Sequence, residues 1–557
     1  MIFDLPDTDT EQPPVFTTAA TCQDWLKSLA ALPAPRAQSV LLQQLSLLLR
    51  YSLPVNERFT ILEALRAPIY QTQEHAAKKF IGRPLPLAPP EQAALDSTLA
   101  LWQSLFVNYL QCVEAPVMAE ANAKAPSRKN ATIIQRALTV LADSQLDLIQ
   151  GKRLPDFGYW KKLHQIFYFA ETNNLITEPI KDAMRHGSQP ATPLAVYAEC
   201  HLLFIASPYE LPARELAWIA RWAKRWGGKI KLLTAPPEDI LRCAHPLWVD
   251  LDSDQPADYS PRPAAQGRWL ETTDLRSSLA TRITLLAEGR APADLQLGSD
   301  ITQPAAGELL THLLHRWCQG GSARRHVRQS ASGDCQFVVG WEAIHRLFPV
   351  RGPSQLSPQD GQTLRDARET PALPGNASHR LEIPPALATE GESPHASGAS
   401  SAAIEDWNLL DRSASGLRIS RPIKEGARIA VGTLIAARIA PDATFTLGCV
   451  RWTLRQDADS LAVGIQLFPG KTAAITALAL SLDQSERTPC RFAYWIEADA
   501  TTEAPARLVL PMGSFQIGRL IELSTNAPTA KARLTRLLAH GSEFECCAFT
   551  AENNLAS

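Results

Sequence analysis

Apolar residues recur at helical spacing from about Cys22 to Ala183, as in Leu41, Leu42, Leu45, Leu48 and Leu49 and again in Trp160, Leu163, His164, Phe167 and Ala170. That period lines one face of an α-helix, so the stretch predicts packed helical hairpins. Prolines break the pattern at Leu53-Pro54, from Pro84 to Pro90, at Leu154-Pro155 and at Gln189-Pro190. A residue without an N–H ends a helix at each of these places. The helix lengths resemble those of helical-repeat proteins, yet no fixed period establishes a solenoid.

A second block predicts helices over Ala195–Ala206, Glu215–Trp226, Leu275–Ala287 and Ala306–Cys318. Gly227-Gly228 reads as a C-cap for one of them, and Gly320-Gly321 closes the last. Lys229–Leu233 and Leu247–Leu251 have the form of short strands, which leaves room for a mixed block. Beyond it, Cys335–Val339, Trp407–Leu410, Leu417–Ile419, Ile429–Ile435, Leu447–Leu454 and Leu461–Phe468 are short β-rich runs, followed by Ser514–Leu523 and Glu543–Phe549. Roughly Arg351 to Ala403 interrupts them with Pro, Ser, Gly, Ala and charged residues in place of aromatics and β-branched residues. Such a stretch buries too little apolar area to offset its ordering entropy and is expected to be a disordered insertion.

Composition narrows the classes further. A chain of 557 residues exceeds what one core supports, since cores stop growing at roughly 250–300 residues, so several domains are expected. The content is 45% hydrophobic and 20% charged with a formal charge of −2. This is the balance of a globular protein with no bulk attraction to nucleic acid or anionic membrane. The start, MIFDLPDTDTEQPP, lacks the apolar core of a secretory signal, and no apolar run approaches the ~20 residues of a membrane span. The ten cysteines lack C-x-x-C spacing, and Cys546 and Cys547 are adjacent, which suits buried reduced thiols better than a metal site. A cytoplasmic protein without a cofactor is expected.

Two short constellations carry chemistry. Asp411-Arg412-Ser413-Ala414-Ser415-Gly416 has the form D-x-S-x-x-G between two strand-like runs. A carboxylate accepts paired N–H donors such as the N1–H and N2–H₂ edge of guanine, a serine adds a hydroxyl, and glycine permits a tight turn. Turns select the same residues for their own reasons, so the motif alone does not make a site. Gly320-Gly321-Ser322-Ala323-Arg324-Arg325-His326-Val327-Arg328 contains R-x-x-x-R just ahead of the first β-rich run. Guanidinium forks bind phosphate bidentately and stack on bases. The spacing recurs at Arg221/Arg225, in a helix among Trp218, Trp222 and Trp226, and at Arg451/Arg455, in or beside a strand where both are expected on one face. Order distinguishes the first pair: glycines, twin arginine, a β run, and then D-x-S-x-x-G.

With R-R-H-V-R at Arg324–Arg328, D-R-S-A-S-G at Asp411–Gly416, G-C-V-R-W at Gly448–Trp452 and V-G-I-Q-L-F at Val463–Phe468, the segment from Arg324 to Phe468 resembles a PilZ domain. The resemblance implies a six-stranded antiparallel β-barrel that binds cyclic di-GMP. Arg324, Arg325 and Arg328 would hold phosphate and guanine, and Asp411, Ser413 and Gly416 would form the other wall. The 82 residues between Arg328 and Asp411 exceed the family's usual spacing. Loop closure adds only about 0.6 kcal/mol per doubling of length, so a barrel tolerates the insertion.

The expected fold is multidomain α+β, an all-helical N-terminal region followed by the PilZ-like barrel. Its order is a helical-hairpin domain over 1–190, a second, mostly helical domain over 191–320, the arginine motif and first part of the barrel over 321–350, the disordered insertion over 351–404, the remainder of the barrel over 405–510 and a C-terminal β-rich extension over 511–557. The expected function is a receptor that binds cyclic di-GMP and signals through its helical region to a protein partner. The alternative is an interaction scaffold whose degenerate barrel holds no nucleotide. Enzyme motifs are missing: Glu63-Ala64-Leu65 spells a phosphodiesterase tripeptide inside a helical pattern without metal-ligand acids around it, and there is no P-loop, H-E-x-x-H or G-x-S-x-G. No catalytic residue and no metal ligand is therefore assigned. His164, His312, His315 and His326 read as core, boundary or spacer residues, and neither DNA binding nor membrane insertion is expected.

Overall fold

Proline sets most helix starts in the computed structural model, which describes residue 5 and residues 12–120, 128–185, 190–237, 244–321, 328–349, 404–439, 444–457, 459–481, 487–499, 504–524 and 530–552. Helices α1 (Ala19–Leu29), α2 (Ala34–Arg50), α3 (Val55–Ala77), α4 (Pro89–Glu120), α5 (Arg128–Gln150), α6 (Tyr159–Thr172), α7 (Pro193–Ile205) and α8 (Ala213–Trp226) follow one another. Pro33, Pro54 and Pro212 stand at the N-caps of α2, α3 and α8, and Pro193 opens α7 behind a Thr192 hydroxyl that accepts from the Ala195 N–H at 3.1 Å. Leu41, Leu45 and Leu48 are fully buried on α2, and the expected face of α6 is buried throughout. α4 packs against α2, α3 and α5, and α5 against α7.

A small antiparallel sheet follows, of β1 (Lys231–Leu233), β2 (Leu247–Asp250) and β3 (Gly267–Glu271) in the order β1-β3-β2. The central strand β3 was not expected, because Gly-Arg-Trp-Leu-Glu carries no clean alternation. Helices α9 (Thr273–Ala287) and α10 (Ala305–Cys318) complete this part. Gly320 and Gly321 take positive φ after α10, as expected of a helix stop. Gly227 does not: it stays right-handed after α8, and a Cβ there would lie 2.3 Å from the Ala195 carbonyl oxygen. Close helix packing, rather than a left-handed cap, requires that glycine.

Contacts divide the chain into Met1–Arg83, Leu87–Glu288 and Leu313–Ser322 as one unit, and Pro84–Pro86, Gly289–His312 and Ala323–Ser557 as the other. In the second unit lie β4 (Gln329–Ser330), β5 (Asp334–Val339), α11 (Trp341–Leu347), β6 (Glu405–Ser413), β7 (Gly416–Pro422), β8 (Leu434–Ile439), β9 (Thr446–Arg455) and β10 (Ser460–Leu467). The antiparallel ring β6-β5-β8-β9-β10-β7 closes through β6–β7, and β4 extends β5 along the same edge of β6. Six strands thus form the expected barrel. Its interior holds Phe337 against Trp407, with ring centroids 5.1 Å apart, and the Arg421 guanidinium lies 4.7 Å from the Trp407 ring centroid. The expected disordered insertion falls outside the described residues.

The division of the C-terminal region differs from the one expected. Strands β11 (Thr472–Leu480), β12 (Arg487–Ile496), β13 (Arg507–Pro511), β14 (Leu520–Ser524), β15 (Ala530–His540) and β16 (Phe544–Glu552) close a second six-stranded barrel in the order β11-β12-β13-β16-β15-β14. The first barrel therefore ends at Leu467, not near 510, and the residues after 511 complete a barrel rather than extend one. Period-two runs look alike in both, and only strand pairing separates them. Val338, Leu434, Ala436, Leu447 and Cys449 on the outside of the first barrel share a core with Ile344 and Phe348 of the α11 region and with Ala474, Tyr494, Val509, Phe544 and Cys546 of the second. Cys547 points the other way, into the second barrel's interior with Trp495, Leu508 and Phe549. All nine described cysteines are free and buried.

Candidate ligand-binding site

The two motifs meet on the outer face of the first barrel. Ser413 pairs with Gly416, so D-x-S-x-x-G spans the β6–β7 hairpin with Ala414 and Ser415 as its turn. A bulge between Leu409 and Asp411 sets Asp411 opposite Arg418, and on the other edge of β6 Asp411 stands opposite Ser330 of β4. Because β4 begins directly after Arg328, this register brings the arginine to the carboxylate. Arg328 Nη1 lies 3.3 Å from Asp411 Oδ1, with the two side chains 36% and 18% exposed. Arg324 and Arg325, with His326, fall outside the described residues.

Ser413 Oγ donates a long hydrogen bond of 3.4 Å to the Gly416 carbonyl, and the Ser415 carbonyl accepts from the Leu467 N–H at 3.0 Å. Gly416 has no left-handed φ, contrary to the turn role expected of it. A Cβ there would stand 3.0 Å from the Ile465 carbonyl oxygen, so its small size lets β10 approach the hairpin. Arg418 Nε is buried and has no hydrogen-bond partner among the described residues, and Asp411 Oδ1, likewise buried, has only the ion-pair contact of Arg328. A buried polar atom costs free energy unless something pairs with it. Arg418 carried no sequence signal, because its meaning depends on its register opposite Asp411.

The other candidates have structural roles. Glu63 on α3 accepts from Tyr109 Oη at 2.7 Å and pairs with Arg136 at 3.2 Å, which explains the tripeptide without catalysis. His164 is buried, with Nδ1 at 2.8 Å from Tyr197 Oη and Nε2 at 2.8 Å from the Gln255 carbonyl. Burial outweighs that carbonyl contact and lowers its pKa. Arg221 and Arg225 lie on α8. Arg451 is the extra residue where the β10 register moves from Trp452 to Val450, so the alternation that would set it on one face with Arg455 is broken there. Among the described residues no group of three or more His, Cys, Asp or Glu could hold a metal ion, and no helix is long and apolar enough to cross a membrane.

Known proteins resemble the chain at both ends and along its length. The family described as "Cyclic-di-GMP receptor FimW, N-terminal domain" matches residues 20–238, and the "FimW C-terminal beta-barrel domain" matches residues 495–552. A Pseudomonas aeruginosa protein named cyclic-di-GMP receptor FimW is 23% identical over 551 residues, covering 93% of this chain and 88% of that protein.

Proposed function

We propose that this chain, a relative of the FimW receptors through its helical region and its second barrel, is itself a receptor for cyclic di-GMP and binds it on the first barrel. The observation that carries this reading is the approach of Arg328 to Asp411 across 82 intervening residues, which sets the two motifs side by side on one barrel face. Asp411 accepts the N1–H and N2–H₂ of guanine, and Arg328, with Arg324 and Arg325 ahead of it, takes the phosphates. In the described geometry Arg328 and Asp411 neutralise each other; the ligand replaces each partner with a guanine edge and a phosphate. Ser413 supplies a hydroxyl beside that edge, and Gly416 keeps β10 close to it.

The protein acts as a receptor and not as an enzyme, in the cytoplasm. Arg328 follows the end of α10 by ten residues, and a protein partner of the helical region reads the capture of the ligand. Equilibrium dialysis with labelled cyclic di-GMP, in competition with cyclic di-AMP, tests the ligand assignment. Adenine presents an acceptor at N1 where Asp411 needs a donor, so cyclic di-AMP should compete at least about tenfold more weakly. Equal competition by the two dinucleotides would overturn the guanine-edge role.

A further inference from the structure

The most exposed large apolar side chain among the described residues is Phe157, at 97%, on the turn that leads into α6. That turn is fixed on several sides. Tyr159 N–H donates to the Asp156 carbonyl at 3.0 Å, and Gly158 supplies the left-handed third residue with φ 86°. Asp254 accepts the Gly158 and Lys161 N–H groups at 2.6 Å and 3.0 Å. Arg153 pairs with Asp96 at 3.2 Å and Asp156 at 3.3 Å, and Tyr209 Oη donates to the Arg153 carbonyl at 2.7 Å. A held turn thus presents an aromatic ring almost wholly to solvent. On α6, the exposed Lys161, Lys162, Gln165 and Tyr168 recur at helical spacing and form one strip. Neither lysine makes an ion pair among the described residues, and both stand in or next to a first helical turn without acids, where the helix dipole disfavours cations. The neighbouring acids are engaged, Asp96 and Asp156 with Arg153 and Asp254 with backbone amides. Stability alone gives no reason for the bare ring or for the two lysines beside it.

We propose that the Phe157 turn and the α6 strip dock a protein partner, the ring entering an apolar pocket rimmed by Asp and Glu that pair with Lys161 and Lys162. This rests on the reading above that the helical region has a protein partner, and it gives that partner a surface and a chemistry without depending on where the ligand binds. An aromatic anchor on a preorganised turn loses little freedom on binding, which is the character of interface hot spots. Leu154, 39% exposed, and Tyr168, 37% exposed, add apolar area to the same part of the surface. A lipid surface fits less well, since charge-driven lipid binding takes clusters of about four to eight cations, and this strip carries the pair Lys161 and Lys162.

The test places the photo-cross-linker benzoylphenylalanine at position 157 of the full-length chain, with the exposed Val15 position as a control, irradiates cells of the source organism and sequences the cross-linked peptides. The expected adduct joins position 157 to a protein peptide whose apolar residues are flanked by Asp or Glu. Its yield should fall at least about tenfold in Lys161→Glu/Lys162→Glu and recover when the partner's acids are changed to lysine. With the purified partner, Phe157→Ala should weaken binding at least about tenfold. Phe157→Ala should leave the thermal midpoint within about 1 °C of wild type. The double glutamate variant should raise it, because acids suit a helix N-terminus, so its loss of the partner cannot come from misfolding. A protein adduct from position 15 alone would leave the helical region a partner and overturn this surface. An adduct to lipid or to a second copy of this chain, or equal yield in the double variant, would overturn the proposed chemistry. No protein adduct from either position would overturn the surface and count against the partner reading as well.

Discussion

Arg328 and Asp411 carry their meaning through position rather than through stability. A partly exposed ion pair contributes about 0–1 kcal/mol to folding, so Asp411→Ala should leave the thermal midpoint nearly unchanged. The same substitution removes a two-point guanine contact of about 1–3 kcal/mol, and titration should show a loss of roughly 5- to 150-fold in affinity. Asp411 and Arg328 were legible in the sequence because both sit in short motifs with a defined order. Arg418 was not, since no spacing announces a register set by a bulge. Asp147 is a second residue-scale case, hidden because helix packing and not sequence spacing sets its surroundings. Burial, offset in part by the Trp102 Nε1–H donated to Oδ2 at 2.7 Å and reinforced by Asp143, pushes its carboxyl up to about 7. A carboxyl with a raised folded pKa binds more protons folded than unfolded between about pH 4 and 7, so its contribution to stability falls as pH rises through that window. Asp147→Asn should therefore raise the thermal midpoint more at pH 8 than at pH 5, and an equal effect at both would contradict the assignment.

At the scale of elements, the helical unit is held by charges that sequence patterning reads as solvated faces. Asp182 accepts from Arg66 Nη2 at 2.8 Å and 2.9 Å and pairs with Arg136 Nη1 at 3.0 Å, tying the segment after α6 to α3 and α5. All three side chains are almost fully buried, and although burial opposes its charge, the two arginines hold the Asp182 carboxyl below its usual range. Asp182→Ala leaves two guanidiniums without their main counter-charge and should cost about 3–5 kcal/mol in urea unfolding. A loss under about 1 kcal/mol would mean that Glu63 alone suffices for both. Helix ends at Pro33, Pro54 and Pro212 follow from local chemistry and could be read directly. Gly227 and β3 could not, because one answers to α7 and the other to two neighbouring strands.

At the scale of the whole molecule, the class of the fold was readable and the partition of its β region was not. Hydrophobic alternation marks strands without saying which barrel they join, and the adjacent Cys546 and Cys547 show why: one serves the core shared by the two barrels, the other the interior of the second. That shared core predicts coupling. Phe544 is fully buried in it, with its ring centroid 5.8 Å from that of Phe468, so Phe544→Ala should cost about 3–5 kcal/mol and lower the unfolding midpoint of both barrels together. Separate transitions, with only the second barrel affected, would show that the contact does not couple them.

The central claim is that the two motifs form one cyclic di-GMP site, and calorimetric titration of the full-length chain with that ligand tests it most directly when repeated on Arg328→Ala and Asp411→Ala. Saturable heat with wild type at tens of micromolar ligand or below, and at least about tenfold weaker binding by each folded variant, is the predicted result. No heat with wild type, or variants that bind as wild type does, would contradict it.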